Sequence, residues 1–304
     1  MDSVDRKLVD LLAINSRGGL QDLSRKIGVS ANEVKKRIES LVKSDVIHDF
    51  VTILSPLMTN EELSIAVLDF NLVHDENDLL RALSDCPSVW RVHRALEDKY
   101  VVFSVVYSDD ELASLAMTYR GLRGIGRVDI FSRFMRYWGG KIDLTDVHKK
   151  ILRCLIKDTR VSVADIARKT GLESNVVIDS IDYMRESESV LFTINATDYL
   201  KESRIEILAK VQWNVGKTSQ EQVSNWLQTS FPTVYLREYV SVIEPTLFFN
   251  FTVNHVQEVD VVMKRTKESG IISTFTPLIL FPGSVLSDPR ARRLDEILTE
   301  TGFS

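Results

Sequence analysis

Shifted by 143 residues, the chain falls onto itself: positions 4 to 38 align without a gap on positions 147 to 181. Identities include Val4/Val147, Lys7/Lys150, Leu12/Leu155, Arg17/Arg160, Asp22/Asp165, Arg25/Arg168, Lys26/Lys169, Gly28/Gly171, Asn32/Asn175, Val34/Val177 and Ile38/Ile181. The mismatches Leu8/Ile151, Leu20/Val163, Leu23/Ile166 and Leu41/Met184 stay apolar. An ungapped run of this kind identifies an internal duplication, so one small unit must be built twice.

Each copy has two parts. Residues 2–45 predict three short helices, the first with Val4, Leu8, Leu11 and Leu12 at helical spacing and the second from about Leu20 to Ile27. Gly28 supplies the turn, because glycine takes positive φ without penalty. Ser30 and Glu33 have the spacing of a capping box at the head of the third helix. The β-rich stretch Val46–Leu54 then suits a wing. Residues 62–138 alternate strand and helix, with strands expected at Leu63–Phe70, Val89–Ala95, Tyr100–Tyr107 and Val128–Met135. Helices fit Asp75–Ser84 and Asp109–Tyr119, giving the βαββαβ order of a ferredoxin-like module. In the second copy the strands fall near Ile205–Trp213, Val234–Tyr239, Thr246–Val253 and Ile272–Pro277, and the helices at Ser219–Gln228 and Val256–Glu268.

The expected fold class is therefore α+β: a winged helix-turn-helix plus a ferredoxin-like βαββαβ domain, present twice in tandem. The boundaries are 1–55 and 62–138 for the first copy, 143–198 and 204–282 for the second, and 283–304 for a tail helix beginning at Pro289.

This combination resembles the Lrp/AsnC (leucine-responsive, feast/famine) transcription regulators. The likeness runs through Asp5-Arg6-Lys7-Leu8, Leu20 to Ser30, Val34 to Leu41 and Asp45-Val46-Ile47. It implies transcription control on double-stranded DNA, oligomerisation through the sheet modules as at least a dimer, and a small effector such as an amino acid. In that family the turn between the second and third strands, near the effector site, reads Gly-x-aromatic-Asp. Here it is Ala95-Leu96-Glu97-Asp98, so Asp98 is the one candidate effector residue, and a plain turn residue is the alternative.

The last helix of a helix-turn-helix enters the major groove. In the first copy Ala31, Val34, Ile38 and Leu41 share an inward face, leaving Asn32, Lys36, Glu39 and Lys43 outward, flanked by Lys35 and Arg37. Asn pairs with adenine, and Lys or Arg with guanine or phosphate. The candidate DNA-binding residues are Ser30, Asn32, Lys35, Lys36, Arg37 and Lys43. In the second copy Ser174, Val177, Ile181 and Met184 are expected inward, and Asn175, Asp179, Asp182 and Glu186 outward. The capping box is not repeated, a valine replacing the glutamate. Carboxylates facing a phosphate-lined groove repel, so the second head is expected to keep its fold without binding DNA. Its acidic face is alternatively a surface for a protein partner.

The net charge of −5 excludes a chain coated in nucleic acid along its length but leaves a locally basic docking face open. No apolar run approaches the roughly 20 residues that cross a bilayer, and the opening Met1-Asp2-Ser3-Val4-Asp5 lacks a secretion signal. Cys86 and Cys154 form neither metal spacing nor a disulfide framework, so a cytoplasmic setting is expected. His48, His74, His93, His148 and His255 show no metal-ligand spacing, so neither metal nor cofactor nor catalysis is expected. Two other readings share the architecture. Sirohaem decarboxylases would place His, Tyr and Arg at short spacing in the strand bearing His93, where this chain has His93-Arg94-Ala95-Leu96-Glu97. A protein that bridges regulators without touching DNA is the third.

Overall fold

The computed structural model describes residues 2–72, 74–135, 139–196 and 204–299. Residues 1, 73, 136–138, 197–198 and 300–304 of the expected domains lie outside the described residues. The first copy begins with α1 (Ser3–Ile14), α2 (Leu20–Ile27), α3 (Ala31–Lys43), β1 (Ile47–Leu54) and the short α4 (Pro56–Thr59). It continues with β2 (Glu62–Phe70), α5 (Glu76–Ser84), β3 (Val89–Ala95), β4 (Lys99–Val106), α6 (Asp109–Arg120) and β5 (Ile125–Phe131). The second copy repeats the order of these elements apart from α4. It has α7 (Asp146–Leu155), α8 (Val163–Thr170), α9 (Ser174–Glu186) and β6 (Val190–Ala196), then β7 (Ile205–Trp213), α10 (Gln220–Ser230), β8 (Tyr235–Val240), β9 (Thr246–Val253), α11 (Gln257–Glu268) and β10 (Ile272–Leu280). A two-residue β11 (Ser284–Val285) and α12 (Pro289–Thr299) follow.

The chain divides into two compact units that do not follow the order of the repeats. One gathers Met1–Asn60, Tyr137–Tyr199 and Arg290–Ser304, and so holds both helix-turn-helix heads. The other gathers Glu61–Arg136 and Leu200–Pro289, and so holds both sheet modules.

In the first unit each head closes on its own apolar cluster. Leu8, Leu12, Leu23, Val34, Ile38 and Leu41 form one, and Ile151, Leu155, Ile166, Val177, Ile181 and Met184 the other. Both turns after the second helix use glycine in the left-handed region, Gly28 at φ 88° and Gly171 at φ 73°. The stretch expected as a wing does not fold back on itself. Instead β1 pairs antiparallel with β6 of the other repeat, from Ile47 opposite Ala196 to Leu54 opposite Val190, as a ribbon shared by both heads. Each strand also bonds to a helix end in the opposite repeat: the Thr52 hydroxyl donates to the Leu155 carbonyl (3.1 Å) and the Thr193 hydroxyl to Ala13 (2.7 Å). The buried Leu294 and Leu298 dock α12 onto the second head.

In the second unit each module has the ferredoxin-like strand order, β5-β2-β4-β3 and β10-β7-β9-β8. β3 meets β10 at Ala95 and Leu280, and β11 adds to β3 at Val92 and Arg91. At the far side, Phe134 bridges Ser241, and the Val242 amide donates to the Arg133 carbonyl (2.9 Å). The two sheets thus join along both margins around a shared core containing Ile65, Val101, Phe103, Leu208 and Phe248. This explains why β9 is buried at every position, and β4 at every position after Lys99. Helices cover one sheet face and the second sheet covers the other.

Three strand ends differ from expectation by three residues or more, the first being the start of β5 at Ile125 instead of Val128. β5 stops at Phe131 instead of Met135, because Arg133 adopts positive φ (56°) and Phe134 turns to the other module. β10 runs past Pro277 to Leu280, with Pro277 in register opposite Ala209 of β7 and β3 joining only at Leu280.

Candidate nucleic-acid interface

The presentation of α3 begins at Ser30, whose hydroxyl accepts from the Glu33 amide (3.2 Å) and caps the helix. Only half of the expected capping box forms. The Glu33 carboxylate turns along the helix and binds Arg37 Nε at 2.8 Å. Ser30 therefore serves as the cap that fixes the helix start.

Val34, Ile38 and Leu41 are buried, with Ala31 half-buried, and this places Asn32, Lys35, Lys36, Glu39 and Lys43 on the exposed side. Lys35 lies 3.9 Å from Glu39, an exposed contact of little strength. Arg37 departs from its expected place. Its Nη1 reaches Asp5 Oδ1 at 2.7 Å and Asp2 Oδ2 at 2.8 Å, and the side chain is 24% exposed. The carboxylates of Asp2 and Asp5, with Glu33, hold this guanidinium above the usual arginine range. Arg37 thus clasps α3 to the head of α1, and the free cations of the docking face are lysines. Asp2 and Asp5 lie more than thirty residues away in sequence. The Glu33–Arg37 spacing of four was the one local signal for the clasp.

In the second head α9 repeats the geometry with different chemistry. Val177, Ile181 and Met184 are buried, whereas Ser174, expected inward, is exposed at the first turn where no other element covers it. Ser180 is buried in its place. Asn175, Asp179 and Glu186 are exposed and Asp182 is half-buried. Arg185 is tied to Asp182 at 2.9 Å and to Glu186 at 3.5 Å. Glu173 stands at the N-cap and makes no side-chain cap bond, so a carboxylate occupies the position held by Ser30 in the first head. Counting charged residues, α3 carries four cations and two anions, and α9 one cation and three anions, a net of +2 against −2. A helix N-terminus attracts phosphate through its free amides and dipole, and Glu173 opposes that attraction at α9.

Asp98 sits with Glu97 in the β3–β4 turn, both at positive φ (53° and 63°), and its carboxylate lies 3.7 Å from Arg94. Two consecutive left-handed residues are what a tight hairpin requires, which accounts for an Asp here. His93 is 3% exposed and its Nδ1 lies 3.0 Å from the Phe281 carbonyl oxygen. Gly283 packs so closely that a Cβ there would lie 2.6 Å from the imidazole. The segment following β10 therefore closes over His93. Among the described residues no cluster of three His, Cys, Asp or Glu side chains has metal-holding geometry, and no helix is long and apolar enough to cross a membrane.

The two heads and paired sheet modules define a tandem helix-turn-helix protein. A family model for the AsnC-type helix-turn-helix domain matches residues 1–42, and one for a winged helix-turn-helix DNA-binding domain matches residues 144–187. An uncharacterized HTH-type transcriptional regulator of Pyrococcus horikoshii is 29% identical over 165 residues, covering 54% of this chain and 90% of the relative. One from Pyrococcus abyssi is 26% identical, covering 42% of this chain and 88% of the relative. The chain thus carries two helix-turn-helix domains, the first of the AsnC type, and is similar to HTH-type transcriptional regulators over about half of its length. The crystal structure of the siroheme decarboxylase NirDL matches end to end, covering 98% of this chain and 99% of NirDL with a TM-score of 0.60 and 13% identity. Its co-complex with an iron-uroporphyrin III analogue gives a TM-score of 0.62 at 12% identity, covering 99% of this chain and 100% of NirDL. At that identity the likeness is one of fold alone.

Proposed function

We propose that the chain is a sequence-specific, cytoplasmic DNA-binding transcription regulator in which α3 enters the major groove and α9 does not. The contrast between the two heads carries this reading: one scaffold presents net +2 on α3 behind a serine cap and net −2 on α9 behind a glutamate. Neutralised phosphates supply most of the affinity of such contacts, so the sign of the face decides which head binds. In this reading Asn32 recognises a base, Lys35, Lys36 and Lys43 meet phosphate or guanine, Ser30 fixes the helix start and Arg37 holds the helix in place. One competent head per chain implies at least two chains on a two-fold DNA site, with half-sites spaced by a helical turn or a multiple of it. An amino-acid-class effector acting through the sheet modules belongs to the proposal, and the turn at Asp98 does not depend on one.

The second reading, a siroheme-decarboxylase-like enzyme, is favoured by the end-to-end fold likeness to NirDL. Against it, His93 is held by the Phe281 carbonyl and roofed by Gly283. A shared fold does not transfer chemistry. We therefore read the chain as neither an enzyme nor a cofactor binder.

Gel retardation at two salt concentrations tests the assignment. Lys36→Asp is expected to abolish binding, and Asp179→Asn to leave it near wild type. The opposite pattern assigns the heads the other way round. A chain that retards no DNA but develops a bound-tetrapyrrole absorbance band on titration with iron-uroporphyrin would establish the enzyme reading instead.

A further inference from the structure

The ribbon joining the heads carries an arginine pair that DNA reading by α3 does not use. Phe50 pairs with Ile194 and Thr52 with Phe192, so Phe50 and Phe192 lie on one ribbon face as diagonal neighbours. Arg17 and Arg160 occupy equivalent positions in the two repeats. The Arg160 guanidinium lies 5.1 Å from the centroid of Phe50, and that of Arg17 lies 5.9 Å from the centroid of Phe192. Each arginine thus covers the ring contributed by the opposite repeat, and both meet the same patch of ribbon.

The two are held differently. Arg17 donates through Nη1 and Nη2 to the Val161 carbonyl (3.2 Å each), and through Nη1 also to Thr159, so its head rests beside the Arg160 backbone. Arg160 Nη1 is buried and has no hydrogen-bond partner among the described residues. The nearby carboxylate is Asp158, which is exposed, accepts from the Arg160 backbone amide at 2.9 Å, and acts on both guanidiniums without forming an ion pair with either. Burial pulls both arginines below their ordinary value, Asp158 pushes back, and the charge of Arg160 pulls Arg17 down further. Two half-buried like charges beside one exposed anion, with a buried donor unmet, form a site short of negative charge and of acceptors.

We propose that Arg17 and Arg160 together form an oxyanion site on the ribbon that takes a phosphate-class ligand. Guanidinium forks match phosphate geometry, and the neighbouring rings of Phe50 and Phe192 limit where the two heads can lie before the ligand arrives. The ligand neutralises the pair, and Arg160 Nη1, buried in the free chain, swings out to donate to it. Because one arginine comes from each repeat, it also ties the two heads together. Two sources supply this chemistry: a free phosphate or small phosphorylated molecule, or a backbone phosphate of bound DNA. The second source rests on the regulator reading above.

The test uses the full chain, wild type and Arg160→Gln, because Arg17 also bonds to carbonyls that hold the heads. In the first arm thermal unfolding is followed as sodium phosphate is titrated against sodium chloride at equal ionic strength. If the ligand is free phosphate, the wild-type midpoint rises saturably and the Arg160→Gln midpoint does not. In the second arm DNA affinity is measured against salt. If the ligand is a DNA phosphate, Arg160→Gln flattens the log–log slope by about 0.9 while free phosphate gives no saturable shift. Should Arg160→Gln fail to fold, Arg160→Lys, which keeps the charge and loses the fork, serves in both arms with a weakened response expected. Identical behaviour of variant and wild type in both arms overturns the proposal. A wild-type chain that retards no DNA but shows the phosphate shift defeats the regulator reading and leaves this site standing.

Discussion

Neutralising Lys36 and Arg37 removes the same charge from adjacent positions, yet the two changes should have different consequences. Lys36 is exposed on α3, whereas Arg37 is held by Asp2, Asp5 and Glu33 at 2.7–2.8 Å. Each phosphate neutralised on duplex DNA contributes about 0.9 to the slope of log K against log salt. Lys36→Gln should therefore flatten the slope by about 0.9. Over a fourfold rise in salt this is about 3.5-fold less loss of affinity, and about 12-fold less for Lys36→Gln with Lys43→Gln. Arg37→Gln should leave the slope unchanged and lower the thermal midpoint, since the clasp between α1 and α3 is lost. Fluorescence anisotropy across 50–200 mM salt, about the range over which such contacts are usually compared, reads the slope, and circular dichroism reads the midpoint. A slope change for Arg37→Gln equal to that for Lys36→Gln, with the midpoint unmoved, would refute the clasp.

Four further outcomes follow from packing and burial. Burial pushes the Glu238 carboxyl up, with the Ser224 hydroxyl pulling it only part of the way back, so the folded chain is penalised once this group ionises. A raised carboxyl favours folding below its unfolded value and loses that favour as pH rises through the folded one. Glu238→Gln should thus raise the midpoint at neutral pH, with the gain vanishing as pH falls to the ordinary glutamate value of about 4.3; an equal gain at all pH values would contradict this. Gly28→Ala meets open space but keeps φ at 88°, costing about 1–2 kcal/mol. A Cβ on Gly140 falls on the Ser187 carbonyl oxygen, so Gly140→Ala should cost about 3 kcal/mol or more in urea unfolding. Leu294, 1% exposed, packs on the second head, and Leu294→Ala should destabilise by about 2–5 kcal/mol without changing DNA affinity.

What the chain declared in advance was local. The 143-residue repeat, the glycine turns and the inward stripe of α3 are matters of spacing, and the heads formed accordingly. What stayed hidden was set by contacts distant in sequence. Periodicity marks Phe50 as part of a strand but cannot indicate that its neighbour is Ile194 of the other repeat. A wing and a shared ribbon have the same alternating pattern, so only the partner distinguishes them. Arg37 looked like its basic neighbours because Asp2 and Asp5 approach it only when α1 folds back on α3. The strand expected through Met135 ended early because Arg133 adopts a left-handed conformation that no residue type there announces. Nothing in the local sequence announces that the segment around Gly283 closes over His93.

The claim that one head binds DNA and the other does not is met most directly by photo-crosslinking from equivalent positions. A benzophenone amino acid placed at Asn32 or at Asn175 samples the exposed start of α3 or α9 on the same scaffold. With labelled operator fragments selected by the chain, adducts are expected from position 32 and none above background from position 175. Adducts from position 175 with none from position 32, or equal yields from both, would contradict the account.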